Sequence, residues 1–221
     1  MTSQSFTTSN PPVPRNQPAT ITSEARPTPT HGPGGSFTII SSCSIAAPPD
    51  VVASVLLDHA AWPEWNAWVP SCTVDSSPAP SPAEEASFPR GGGGDDADRY
   101  IRCGARITLD VHLDLDRPSR NTRQSMEVTA VEPYDGGGGG EGWRIAWKGV
   151  TMPGFLLRTE RVQEMVSDGK GGTEYTCWET MYGPLAGVVR WTTGGLLEKG
   201  FQRWGEDLKR RAEEVAAAAS G

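Results

Sequence analysis

Between residues 37 and 182 apolar residues recur at every second position in one segment after another, and only near the C-terminus does the spacing become helical. The clearest case is Ile107, Leu109, Val111, Leu113 and Leu115, which alternate with Thr108, Asp110, His112 and Asp114. This is the pattern of an antiparallel strand with one face on a core and the other in water. Weaker versions cover 37–45, 69–75, 123–131, 143–148, 155–166 and 173–182, so six or seven strands are expected in meander order. Two stretches break the alternation. After Pro48, Pro49 and Asp50, the residues Val51, Val52, Val55 and Leu56 predict a short helix whose prolines stand where a missing N–H costs nothing, and a second helical turn is expected within 60–66. At the far end Leu197, Phe201, Trp204, Leu208, Ala212 and Val215 follow at steps of three and four, with Glu206, Lys209, Arg210 and Glu213 on other faces. A long amphipathic helix is expected there, starting after Pro184, with Gly194 and Gly195 as the place for a bend. The economical packing is an α+β fold in which a curved antiparallel sheet grips the last helix.

Composition sets the limits of that domain. Pro, Gly, Ser and Thr fill 21 of the first 35 positions, seven of them prolines, leaving too little apolar surface to offset the entropy of ordering. Residues 1–35 are therefore expected to be a disordered tail and 36–216 the domain. The stretch 76–98, with Pro78, Pro80, Pro82, Pro89, the run Gly91 to Gly94 and three acids behind it, is expected to be a long mobile loop. Glycine-rich 135–142 and 167–172 predict hairpin turns. With 20 basic against 27 acidic side chains, a net charge of −7, a nucleic-acid partner is not expected. No transmembrane run or apolar leader is present in the sequence, so a soluble, cytoplasmic protein is expected, with a mitochondrial location kept open because Arg15 and Arg26 face only Glu24 in the Ser/Thr-rich start. Cys43, Cys72, Cys103 and Cys177 lie 29, 31 and 74 residues apart, too far for a zinc knuckle, and neither a metal nor a cofactor is expected.

The order strand, short helices, many strands, long helix, together with IAAPPDVVASVLLDHAAWPEWNAWVPSC after the first strand and YTCWETMYGPLAGVVRWTTGGLLEKGFQRWGEDLKRRAE at the end, resembles the START-like or SRPBCC superfamily. This helix-grip group includes polyketide cyclase/dehydrase-type and coenzyme-Q-binding START-like proteins. The resemblance spans about 36–216 without the 76–98 loop and rests on the proline-led helix, Asp58, the turn at Trp62, Pro63, Trp65 and Asn66, and the final GPLA…GF…W helix. It implies a deep, largely apolar cavity between sheet and C-terminal helix for a lipid, sterol, polyketide or quinone, and leaves open whether chemistry follows binding.

Eight tryptophans are many for one modest domain, and Trp62, Trp65 and Trp68 lie within seven residues. Such rings supply apolar walls for a ligand, or they plug the core. Trp143, Trp147, Trp178, Tyr182, Trp191 and Trp204 are expected to converge beneath the last helix, and ligand contact is expected from Trp62, Trp65, Trp68, Trp147, Trp178, Tyr182 and Phe201. Arg158 or Arg161 is placed to hold an acidic or carbonyl end of a ligand, and Glu179 to pair with it or act as a base; alternatively they form a solvated cross-strand pair. Strand parity puts Arg158 and Glu160 opposite Arg161. His31 lies in the expected tail and His112 on a wet outer face, which leaves His59, beside Asp58, as the histidine to consider as a general base. No nucleophile elbow, HExxH or phosphate loop is present in the sequence, and Cys43 and Cys177 look like small buried hydrophobes. The expected function is binding of a hydrophobic small molecule as carrier or sensor, without catalysis; the alternatives are a cyclase, dehydratase or isomerase using His59 or Glu179 in the same cavity, and an interaction protein whose pocket has closed.

Overall fold

The computed structural model describes residues 7–9, 11–79, 89, 99–119, 121–136 and 140–219. Its sheet has eight antiparallel strands: β1 (Thr20–Thr22), β2 (Phe37–Ile45), β3 (Ser71–Ser76), β4 (Arg106–Val111), β5 (Thr122–Pro133), β6 (Gly142–Gly149), β7 (Arg158–Ser167) and β8 (Thr173–Tyr182). They lie in the order β1-β2-β8-β7-β6-β5-β4-β3, so the meander from β3 to β8 brings its last strand beside β2. Helices α1 (Pro49–Leu57) and α2 (Trp62–Trp65) carry the chain across from β2 to β3, and α3 (Ala186–Ala219) packs on the concave face.

Local chemistry accounts for the junctions. Pro49 opens α1 where no intrahelical N–H bond is due, and Asp50 sits in its first turn, favourable to the helix dipole. The same Asp50 accepts a 2.7 Å hydrogen bond from Trp143 Nε1, tying the helix start to β6. Between β8 and α3 the chain turns at Gly183, whose φ of 94° and close approach to the Leu156 carbonyl suit glycine alone. α3 runs unbroken through Gly194 and Gly195 and buries Phe201, Trp204, Leu208 and Ala212.

Three expectations change. β4 ends at Val111, not Leu115, because the chain turns at Asp114, whose side chain accepts from the Asp116 N–H and whose carbonyl accepts from the Arg117 N–H. The eighth strand, β1, comes from the expected tail. Residues 11–35 are ordered: β1 pairs with β2 at the sheet edge, where the Ala19 and Ile21 N–H groups donate to Gln202 and Glu198 of α3, while on the outer face Val13 joins Ile40, Ala130, Ala146, Val162 and Trp178 in an apolar cluster and Arg26 stacks 4.7 Å from the Trp178 ring. The segment is held chiefly by polar bonds, which composition does not reveal. Thr30 donates from its N–H and hydroxyl to Glu160, Ser9 donates to Glu164 at 2.6 Å, and the Thr8 N–H and Arg15 both engage Glu174. The third change follows from this: β8 is buried along its whole length because both of its faces are covered. Most of the 76–98 stretch lies outside the described residues.

Candidate ligand-binding site

The register of the strands decides which side chains meet α3. In β7 the inward set is Thr159, Arg161, Gln163 and Met165, and in β8 it is Tyr175, Cys177, Glu179 and Met181. Arg161 and Glu179 are direct cross-strand partners, and Trp147 of β6 stands opposite Arg161 on the other side. These residues, with Trp68, Leu109, Val111, Leu113, Met126, Leu157, Met181, Val189 and Leu197, enclose a cavity of about 250 Å³ between the sheet and the first half of α3. Its remaining polar lining is Gln124, Thr159 and Thr193, with the indole N–H groups of Trp68 and Trp147, which make no hydrogen bond with the described residues. The volume is just below the roughly 300–1,000 Å³ of ordinary ligand pockets, which suits a compact molecule better than a sterol.

The ion pair is the polar feature of this apolar chamber. Arg161 donates from Nε and Nη2 to Glu179 Oε2 at 3.1 and 2.9 Å, and both side chains are under 10% exposed. Its guanidinium also lies 4.4 Å from the Phe201 ring centre and 4.7 Å from that of Trp68, so aromatic faces replace part of the lost hydration. Arg161 Nη1 and Glu179 Oε1 make no hydrogen bond with the described residues. Deeper under the helix, Tyr175 and Trp204 both donate to Gln163 Oε1, at 2.7 and 3.0 Å, and burial pushes the Tyr175 hydroxyl well above its ordinary range.

The other expected site residues divide by face and depth. Trp68 and Trp147 line the cavity, and Phe201 packs behind Arg161. Trp62 and Trp65 are core instead: both lie edge-on to Trp204, with ring centres 5.4 and 6.3 Å away, and Trp62 donates to the Leu56 carbonyl. Arg158, Trp178 and Tyr182 are on the opposite face of the sheet. Trp178 belongs to the outer cluster, Tyr182 donates to the Gly32 carbonyl, and the Arg158 guanidinium sits over the Tyr182 ring. The sheet therefore separates all three from the cavity. Trp191, expected under the helix, is 86% exposed.

His59 is also away from the cavity; its Nδ1 lies 3.0 Å from the Cys72 carbonyl, in a separate surface pocket with Tyr100 and Arg102. Burial pushes the thiols of Cys43, Cys72 and Cys177 up to about 12, which removes them as nucleophiles at neutral pH. Among the described residues no group of side chains can hold a metal ion. Arg161 is the site residue that sequence left as one of two alternatives. Its shared parity with Gln163 and Met165 was the available signal, and the polar wall residues Gln124, Thr159 and Thr193 carry none.

No family model matches the chain. It is 32% identical over 171 residues to oxopyrrolidines biosynthesis cluster protein O of Penicillium oxalicum (strain 114-2 / CGMCC 5302), covering 71% of this chain and 77% of that protein. In three dimensions it resembles the Zhui aromatase/cyclase of Streptomyces sp. R1128 (TM-score 0.57, 12% identity, 83% of this chain and 98% of that one). It also resembles a START superfamily protein of Mycobacterium smegmatis (TM-score 0.52, 15% identity, 80% and 98%). The shared fold is START-like.

Proposed function

The chain belongs to the family of oxopyrrolidines biosynthesis cluster protein O, and from that premise we propose that it binds a compact, largely apolar small molecule between its sheet and α3, as a carrier or sensor. The observation that carries this reading is the 250 Å³ chamber with an apolar wall and one buried ion pair. A pyrrolidinone-bearing metabolite is the ligand kind that the relative's name suggests. Trp68 and Trp147 supply the flat walls, and Arg161 with Glu179 the polar end.

The catalytic alternative, a cyclase or dehydratase, needs a group able to take a proton from the ligand. Among the described residues the one carboxylate in the lining is paired with Arg161, and no histidine lines the cavity. Glu179 is held by two hydrogen bonds from Arg161, a structural engagement that favours a binding role for the pair. No helix among the described residues is long and apolar enough to cross a membrane.

Native mass spectrometry tests the reading, on protein purified from its own source or exposed to a lipid and polyketide extract, followed by denaturing extraction. A defined one-to-one apolar ligand is expected. A protein that stays empty and takes up no hydrophobic probe would refute the proposal.

A further inference from the structure

We propose that the Arg161–Glu179 pair makes this cavity selective for neutral ligands that carry both a hydrogen-bond acceptor and a donor, of the secondary-lactam kind, and that it rejects carboxylates. The inference rests on the binding reading above and concerns the polarity of the ligand's head. Two facts set that polarity. The pair has no net charge, and the other polar groups of the lining, Gln124, Thr159 and Thr193, are neutral. A carboxylate entering the chamber would therefore add a negative charge beside Glu179 with no second cation in the lining to balance it.

The second fact is what the pair leaves unused. Both of Arg161's hydrogen bonds go to Glu179 Oε2, so among the described residues Nη1 has no hydrogen-bond acceptor and Oε1 no donor. A ligand carbonyl satisfies the first, and only an N–H or O–H satisfies the second. A ketone leaves Oε1 unmatched, and a buried polar group left without a partner weakens binding. A secondary lactam offers both groups on an otherwise apolar ring.

The test compares γ-nonanolactam, its N-methyl derivative, pentylcyclopentanone and nonanoate by isothermal titration calorimetry. The lactam is expected to bind roughly tenfold more tightly than the N-methyl lactam or the ketone, and nonanoate not measurably. Glu179→Gln removes the negative charge and leaves Arg161 uncompensated, so this variant is expected to gain nonanoate binding and lose its preference for the N–H. Should that variant fail to fold, the double variant Arg161→Met, Glu179→Met replaces the pair with apolar chains of similar length. It is expected to bind lactam and ketone alike and still reject nonanoate. Equal affinities of the native protein for all four compounds, or tighter binding of nonanoate, overturn the selectivity while the cavity remains a binding site. Failure of all four to bind, with an empty native mass spectrum, overturns both readings together.

Discussion

The two faces of the sheet are both buried, but by different physics. The inner face meets α1, α2 and α3 through one apolar cluster in which Trp62, Trp65, Trp68 and Trp147 surround Trp204, with ring centres at most 6.3 Å from its own. The outer face has a small apolar island around Trp178, and carboxylates hold the N-terminal segment on it: Glu160, Glu164 and Glu174, all at most 4% exposed. Apolar burial is indifferent to pH and weakly directional, so the inner face can leave a hole and still hold together. A covering held by carboxylates depends on their ionisation and on each donor being in place. The cavity sits on the face that tolerates a void.

The largest expected effect is on the inner face. Trp204→Ala removes the hub of the tryptophan cluster and should cost about 3–5 kcal/mol, measured as a fall in the urea midpoint. Deleting residues 1–35 should cost nearly as much, about 3 kcal/mol, since it uncovers Trp178 and strips partners from the three carboxylates. An unchanged midpoint would mean that the covering adds nothing and the two faces do not differ as described.

Gly200→Ala probes the wall between core and cavity. A methyl group there would run into the indole of Trp68, which packs directly on the helix backbone. About 1–3 kcal/mol of stability should be lost, with weaker ligand binding as Trp68 is displaced. Binding and midpoint both unchanged would show that the wall yields freely.

Acid should separate the faces. Burial opposes ionisation of Glu160, but hydrogen bonds from Thr28, Thr30 and Thr129 outweigh it and hold its carboxyl below its ordinary value of 4.5. A carboxyl held low in the folded state stabilises fully above its unfolded pKa, and that contribution is lost as pH falls through the folded one. Protection of the amides in 26–32 against hydrogen exchange, relative to their intrinsic rates, should therefore fall as pH drops below 4.5, before protection in α3 does, and Glu160→Gln should remove the difference. Simultaneous loosening of both faces would contradict the comparison. The smallest effect belongs to Trp191→Ala: at 86% exposure it touches neither face, and the midpoint should move by less than about 0.5 kcal/mol.

How far sequence reached follows from the same contrast. In β4, where Thr108 and Asp110 lie on the side away from the core, alternation identified Ile107 and Leu109 as inward. In β8 it failed. Trp178 and Tyr182 look as apolar as Tyr175 and Met181 because both sets are covered, and with no wet side the pattern cannot say which set meets the helix. The covering itself went unseen for a related reason: residues 11–35 are bound by Thr, Ser and Arg groups whose partners lie more than a hundred positions away, as with Thr30 and Glu160.

What this chain's sequence determined alone is what local periodicity and proline and glycine chemistry can state: a meander of strands, a proline-led helix, a long amphipathic helix at the end, and hence a curved sheet gripping that helix. Both the period of two and the period of 3.6 are properties of consecutive residues, so no tertiary knowledge is needed to read them. The tertiary structure alone decided which tryptophans line the cavity, that Arg161 and not Arg158 enters it, that Glu179 is its partner, and that residues 11–35 contribute a strand and a covering. Each of these depends on strand register and on contacts distant in sequence, where one residue of slip exchanges the faces of a strand and only the packed molecule selects between them.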